Sequence, residues 1–485
     1  MKTYYHILKR IVNRLCLIFL LGCVFSCKKF IEVEAPITSV NSGNVYKENS
    51  NAAAVLTGIF AKMSSNGFSS DLSLYPELSS DNLNALQFSD SELSYAYYKN
   101  AMSSTFEASF WNKNYEYIYY ANAALEGLSQ STTLDPDVKK RLLGEAHFIR
   151  GICYFYLTNF YGKVPLLVST DYKVNAKLSN SSTEIIYQQI IQDLLLSQQM
   201  LDDKYVDATI IKETPNRVRP NRSAATAMLA RVYLFTKEYS KAEIEASKVI
   251  NQSSRYSIVG IDNTFLKNNQ ETIWALQPVN LGKDTQEGYF FNYPSEGPNS
   301  NNYAYLSSDL LESFDSGDLR KIKWISDMTI DGVTFFYPTK YKVRDGNASD
   351  PKEQSIVLRL AEQYLIRAEA RIQQENIEGG VSDLNVLRTR ATDFSAPVSE
   401  RLKLLSAITS KQEALLTVER ERRAELFTEL GDRWINLKRT GSIDVVMTKA
   451  AISKGIIWAP FKAIYPIPNT EIRLNINIIQ NPGYQ

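Results

Sequence analysis

The run from Arg150 to Val168 constrains this chain most, because it ends a mostly apolar helix abruptly. Ile149, Cys153, Tyr156 and Phe160 fall on one stripe at helical spacing, and Ile152, Phe155 and Leu157 carry the apolar surface further round. Such a helix has to be buried. Gly162 can take a positive φ just past the last turn and Pro165 cannot rejoin a helix, so Leu166, Leu167 and Val168 leave in extended form. A companion pair of helices is expected over Ala224 to Ile250, where Leu229, Ala230, Tyr233, Tyr239, Ala242, Ala246 and Val249 fall at the offsets of a tetratricopeptide unit. Lys237 and Glu238 stand at its turn, where that motif prefers Gly; an ordinary helical hairpin is the alternative.

With 485 residues the chain can build two or three cores, or one large helical array with insertions. Its first 27 residues hold Lys2, Lys9, Arg10 and Arg14 and no acid, which leaves 50 basic against 53 acidic residues beyond them. Nucleic acid is therefore not an expected partner, since neutralising phosphates needs a clustered basic excess. The apolar core Leu15–Phe25 is too short to span a bilayer with margin and reads as a secretion signal. Gly22-Cys23 and Ser26-Cys27 both offer the small-residue-then-cysteine step of a bacterial lipoprotein cleavage site. Acylation there would hold the protein at a membrane surface. Beyond the leader stand one cysteine, Cys153, and one histidine, His147, so the body has no disulfide framework and no metal site or cofactor is expected. His147 is read as a packed structural residue.

Asn51–Met63 reads as a short helix, and Tyr75–Asn82 as a loop too polar for the core. Tyr95, Tyr97 and Tyr98 cluster before the helix Trp111–Leu128, which is expected to pack on Leu142–Phe160. Asp135-Pro136 supplies the latter element's cap and first-turn proline. Thr183–Leu201 is another helix. Between residues 251 and 351 short β-prone runs, Thr272–Leu276 and Val333–Tyr337, alternate with Gly, Asn and Ser. Helical periodicity returns over Ile356–Ile372, breaks at Gly379-Gly380, resumes through Leu384 and Leu387, and continues over Gln412–Leu430; the tail from Tyr465 is expected to be non-helical. The expected fold is mainly α. About four tetratricopeptide-like helix pairs, at roughly 36–250 and 352–445, support a loop-rich, partly β ligand-binding region at about 251–351.

Glu421, Glu425 and Glu429 recur every four residues beside Arg422, Arg423 and Arg433. Glycoside hydrolysis needs two carboxyls facing each other across a cleft, which one helix face does not supply, so these charges are assigned to architecture. An enzymatic alternative would rest on Asp309, Glu312 and Asp315, which fit a helix turn equally well. A neutral sugar offers hydroxyls and apolar C–H faces, so its receptor needs flat rings edged by amides or carboxylates. The candidate ligand-binding residues are Asp81, Asn82, Tyr97 and Tyr98 from one loop and Tyr289 and Tyr293 from another. Rings packed beneath a loop, and turn caps for Asp81 and Asn82, are the alternatives.

Five blocks in order resemble the SusD/RagB family of surface lipoproteins from Bacteroidetes. They are Cys27–Val33, Arg150–Pro165, Arg359–Glu362 with Ala368–Ala370, Glu421–Leu426 with Asp432–Arg439, and Ile467–Glu471 with Gln480–Tyr484. The resemblance implies a signal peptide over residues 1–26, Cys27 as the acylated residue and a SusD-like domain over 27–485. It further implies a non-catalytic, outer-membrane, surface-exposed lipoprotein that captures a glycan for a SusC-type TonB-dependent barrel, or a peptide in some members. The family often has Glu-Gly and a later Asp where this chain has Leu430-Gly431 and Asn436.

Overall fold

The structure, a computed structural model, describes Tyr4 and residues 45–484 apart from 89–91, 106–108 and 348. Cys27 and, Tyr4 excepted, the leader lie outside the described residues. Helices α1 (Asn49–Ser65) and α2 (Phe68–Ser79) lead into strand β1 (Leu83–Ala85) and helix α3 (Glu92–Tyr98). There follow α4 (Ser109–Gln130), α5 (Pro136–Tyr161), β2 (Val164–Pro165), β3 (Asn180–Ser181), α6 (Thr183–Met200), α7 (Arg222–Phe235) and α8 (Tyr239–Ile250). Each of α4 to α8 packs on the next in the series. The chain then runs through β4 (Thr272–Leu276), α9 (Gln286–Phe291), β5 (Ala304–Leu306), α10 (Ser308–Glu312), α11 (Leu319–Lys323), β6 (Ile325–Ile330), β7 (Val333–Pro338) and β8 (Ser355–Arg359). It returns in α12 (Leu360–Gln373), α13 (Ile377–Arg390), α14 (Lys411–Leu426), α15 (Asp432–Thr440), α16 (Ile443–Lys454) and α17 (Asn469–Leu474). Because α12 packs directly on α8, the intervening segment is looped out of an otherwise continuous helical array.

Local chemistry sets the ends of α5. Asp135 Oδ1 accepts from the backbone N–H groups of Asp137 and Val138 at 2.9 and 3.3 Å, with Pro136 at the first helical position. At the far end Gly162 has φ +71° and Val164-Pro165 pairs with Asn180-Ser181. Between these stops Ile149, Ile152, Cys153, Tyr154, Phe155, Tyr156 and Leu157 have no exposed surface, since α4 and α6 flank the helix. Burial of each large apolar side chain contributes about 1.5–3 kcal/mol. In the α7–α8 turn Lys237 takes φ +62°, the left-handed conformation that glycine adopts more easily.

Several segments differ from the sequence expectation. Tyr75–Asn82 is not a solvated loop: α2 runs to Ser79, and Glu77, Ser79, Ser80, Asp81 and Asn82 are all buried because the fold supplies partners for their polar groups. Asn82 Nδ2 donates to Glu77 Oε2 at 2.7 Å, Ser80 Oγ donates to the Glu77 carbonyl at 2.9 Å, and Ser79 and Tyr465 share a hydroxyl bond of 3.1 Å. Tyr95, Tyr97 and Tyr98 lie within α3. Ile356–Arg359 belongs to β8, antiparallel to β4, and the helix starts at Leu360; a short apolar run looks alike in both states. The break before α13 lies at residues 374–376, where Glu375 has φ +67° and Asn376 Oδ1 caps the Gly379 N–H at 2.9 Å. Gly379 and Gly380 sit inside the new helix. The last long helix stops at Leu426, and the tail contains α17.

Buried ion pairs fasten the insertion to the array. Glu425 accepts from Arg359, Arg390 and Arg320 at 2.6, 2.5 and 3.2 Å, and Arg359 also meets Glu271 and Glu429 at 2.8 and 2.7 Å. Glu421 accepts from Arg320 and Arg388, and Lys340 donates to Glu429 at 2.5 Å. Glu271, Arg320 and Lys340 come from the insertion, whereas Arg390, Glu421 and Glu425 come from α13 and α14. Burial of ions is repaid only when geometry and hydrogen bonding are both good, so this network fixes where the loops sit.

Candidate functional site

The two loops that carry the candidate residues meet in one short ladder. β1 pairs antiparallel with β5, placing Leu83 opposite Leu306, Asn84 opposite Tyr305 and Ala85 opposite Ala304. Strand alternation turns both outer pairs into the core and leaves Asn84 and Tyr305 half-buried on the other face. The β6–β7 hairpin packs on β5. Along β7, Phe335 and Tyr337 are half-buried, while Thr334 and Phe336 are exposed on the alternate face.

The rings gathered there touch in pairs. Tyr305 meets Phe335 edge-on at 5.4 Å, Tyr293 stacks on Tyr337 at 4.4 Å and 22°, and Tyr95 lies 5.7 Å from Tyr98 on α3. The Tyr293 hydroxyl donates to the Ala304 carbonyl at 2.9 Å, which pins the loop to β5. Burial raises the Tyr98 hydroxyl to about 12, with Tyr305 and Tyr95 adding to the shift. Burial likewise raises Tyr293 and Tyr305, the former further through Tyr305 and Tyr337, the latter through Tyr95. These hydroxyls therefore remain protonated around neutrality, able to donate and accept. Tyr95, Tyr305, Phe335 and Tyr337 form the half-exposed surface, with Tyr98 and Tyr293 buried beneath.

Of the sequence-predicted residues, Tyr98 and Tyr293 thus lie in one patch. Tyr289 is half-buried between two cations, with Lys283 Nζ 3.5 Å and Arg344 Cζ 4.6 Å from its ring centre. Tyr97 is placed otherwise: only 4% exposed, it stacks on Tyr75 at 4.7 Å and meets Tyr465 edge-on at 5.4 Å, inside the core. Asp81 and Asn82 are also internal. Both Asp81 oxygens accept from Arg433 at 2.8 Å, and Asn82 Oδ1 accepts from Arg423 Nε at 2.8 Å. Burial alone would raise the Asp81 carboxyl, but Arg423 and Arg433 hold it well below the usual carboxylate range. The expectation that these three side chains reach a ligand is corrected to a supporting position, because their polar or ring surfaces are already occupied.

Tyr305, Phe335 and Tyr337, which share this patch, are not among the sequence-predicted candidates. The available signal was the two-residue alternation of rings in Tyr303-Ala-Tyr305 and Phe335-Phe-Tyr337. Asp309 accepts from Arg423 and Lys449 at 2.9 and 2.6 Å, and Asp315 from Arg388 at 2.9 Å, so both carboxylates answer cations. Among the described residues no group of three or more His, Cys, Asp or Glu side chains is arranged to hold a metal ion. No helix among them is long and apolar enough to cross a membrane.

A family model described as "Starch-binding associating with outer membrane" matches residues 29–234, and one described as "SusD family" matches residues 327–484. The chain belongs to the SusD/RagB family. This SusD-like chain is 21% identical to SusD-like protein P25 of Formosa agariphila, over 98% of its own length and all of the relative's. SusD-like protein P2 of the same organism is 26% identical over 78% of this chain and 80% of its own. Among solved structures, a laminarin binding SusD-like protein superposes with a TM-score of 0.72 at 21% identity, covering 90% of this chain and all of that one. Surface glycan-binding protein A from Bacteroides fluxus superposes with a TM-score of 0.73 at 20% identity, covering 89% and 99%. These likenesses show the SusD-like fold, a mainly helical frame carrying a loop-rich face.

Proposed function

We propose that this SusD-like protein is a non-catalytic surface receptor, anchored to the outer membrane through acylated Cys27, that binds an oligosaccharide and hands it to a SusC-type TonB-dependent barrel. The observation that carries the binding step is the β1–β5 ladder, which brings the segment of Tyr95 and Tyr98 on α3 to Tyr305 on β5, Tyr293 before it, and Phe335 and Tyr337 on β7. Flat rings offer their faces to sugar C–H groups, and the tyrosine hydroxyls and the Asn84 amide offer hydrogen bonds at the edge. The names of the laminarin-binding and surface glycan-binding neighbours support the same ligand class. Each ring contact is worth about 0.5–1.5 kcal/mol, so three together raise affinity by about a hundredfold.

Within this reading Tyr98 and Tyr293 support the rings that meet the sugar, Tyr289 extends the surface, and Asp81, Asn82 and Tyr97 hold the platform from below. Isothermal titration of the mature protein against a panel of neutral oligosaccharides tests it, with product analysis alongside. Micromolar-to-millimolar binding without cleavage is expected, lost in a Tyr95→Ala/Tyr305→Ala double variant. Binding that survives the double variant, or glycan cleavage, would overturn the reading; peptide binding in place of sugar would change the ligand class.

A further inference from the structure

Polarity is inverted along the segment that follows α17. Asn475 and Asn477 turn their amides inward, donating to the carbonyls of Leu178 and Lys177 at 2.7 and 3.1 Å, and the Asn180 side chain bonds both the carbonyl and the N–H of Ile479 at 3.0 and 3.3 Å. Leu474, Ile476 and Ile479 are left facing solvent, while Ile478 alone of this run's apolar side chains is buried. Beside them the helical turn Tyr172–Asn175 exposes Tyr172 and Val174. These five side chains are 52% to 89% exposed, and apolar groups gathered in this way mark a contact surface.

Charge and position narrow what covers it. Lys173, Lys177 and Arg473 are interleaved with the apolar side chains, exposed and without an ion-pair partner among the described residues. The acid within these two runs is Asp171, whose carboxylate accepts the Lys173 amide at 2.9 Å. The polypeptide that carries Cys27 also joins the body here. Glu126 of α4 accepts from the Thr170 N–H and hydroxyl at 2.8 and 2.5 Å, just before the Tyr172 turn, and the Tyr46 ring packs so tightly on neighbouring Gly127 that an added Cβ would stand 2.1 Å from it. We propose that residues 172–177 and 473–479 form a membrane-contact surface that rests on an anionic lipid layer, with the apolar side chains entering the headgroup region and the three cations meeting lipid phosphates. Cationic stems among apolar tips, with a tyrosine, suit such an interface. A protein partner would be met by a hydrogen-bonding rim, whereas the amides of Asn475 and Asn477, and that of Asn175 on the Ser169 carbonyl at 2.8 Å, are spent within the chain. The inference rests on the proposed acylation of Cys27 for bringing the protein to the membrane; the patch then fixes its orientation there.

Co-sedimentation of the mature chain carrying Cys27→Ser, which has neither leader nor acyl group, with vesicles of phosphatidylcholine alone or with about one third phosphatidylglycerol tests the proposal. Partition onto the anionic vesicles is expected to exceed that onto the neutral ones by at least about tenfold and to weaken with added salt. Leu474→Asp/Ile476→Asp should lower it by at least about tenfold, and Lys173→Gln/Lys177→Gln should cut the anionic preference by at least about fivefold. All four side chains are exposed, so circular dichroism of both variants should match the parent. Tyr305→Ala should leave partition unchanged. Mass spectrometry of the wild type extracted from membranes reads the Cys27 acylation separately, so that reading and this one fail independently. No preference for anionic vesicles, or partition that Leu474→Asp/Ile476→Asp leaves intact, would overturn the proposal. Absent vesicle binding together with self-association that the same variant dissolves would assign the face to a second copy instead.

Discussion

Arg433 and Asp81 face each other in a two-pronged ion pair, Nε to Oδ1 and Nη2 to Oδ2, both at 2.8 Å. The pair ties the start of α15 to the turn between α2 and β1, immediately under the tyrosine patch. Breaking a buried pair costs about 3–5 kcal/mol where the remaining charge is left uncompensated. Arg423 stays 3.0 Å from Asp81, so Arg433→Ala should lower the stability read by urea denaturation by less, about 1–3 kcal/mol. On the proposed function, glycan affinity of the protein that remains folded should be nearly unchanged, since the Arg433 side chain is buried against Asp81 and Glu419.

Tyr97 and Tyr305 separate the two roles of tyrosine here. Tyr97→Ala removes a ring packed between Tyr75 and Tyr465 and should cost about 3–5 kcal/mol of stability, with little effect on binding. Tyr305→Ala removes a half-exposed ring from the proposed face, and affinity should fall by roughly five- to tenfold while stability changes little. Thermal denaturation and titration on both variants check the contrast. Equal effects of the two substitutions on affinity would contradict it.

Glu77 gives stability a pH signature. Burial raises its carboxyl from 4.5 to about 7, against the lowering effect of the Asn82 amide and the Thr428 backbone. A raised folded-state pKa means that the folded protein binds more protons than the unfolded chain between the two values. The contribution is fully present below 4.5 and is lost as pH rises through about 7. Glu77→Gln cannot ionise, so the stability of the wild type relative to this variant should fall by up to roughly 3 kcal/mol across that window. Urea denaturation of both proteins at several pH values measures it; a difference independent of pH would show that the carboxyl is not displaced.

What could be read from the sequence depended on whether the deciding partner was near in the chain. The stop of α5 was legible because Gly162 and Pro165 follow it directly, and its start because Asp135 caps amides two and three residues on. The polar run Tyr75–Asn82 was misread because its partners Arg423 and Arg433 stand more than three hundred residues away, which makes buried polarity look like solvent exposure. The tyrosines posed the same difficulty. Tyr95, Tyr97 and Tyr98 are equivalent as composition, and only the packing of α3 sends Tyr97 into the core. The β1–β5 register, which sets Tyr305 opposite Asn84, is a long-range fact.

Gly58 and Gly380 should respond to the same substitution with opposite signs. Both are helical, and alanine ordinarily favours a helix over glycine by about 1 kcal/mol. At Gly58 in α1 an added Cβ meets no atom within 4 Å, so Gly58→Ala should stabilise the protein by about 0.5–1 kcal/mol. At Gly380 the same atom would lie 2.4 Å from Ile372 Cγ1 and 2.7 Å from the Ala368 carbonyl oxygen, the second a backbone atom that cannot swing aside. The helices α12 and α13 would have to separate, and overpacking of this kind costs typically about 1–3 kcal/mol, more than the propensity gain. A higher melting temperature for Gly58→Ala and a lower one for Gly380→Ala are the expected readings. A rise for both would mean that α12 and α13 do not approach as closely as the glycine pair allows.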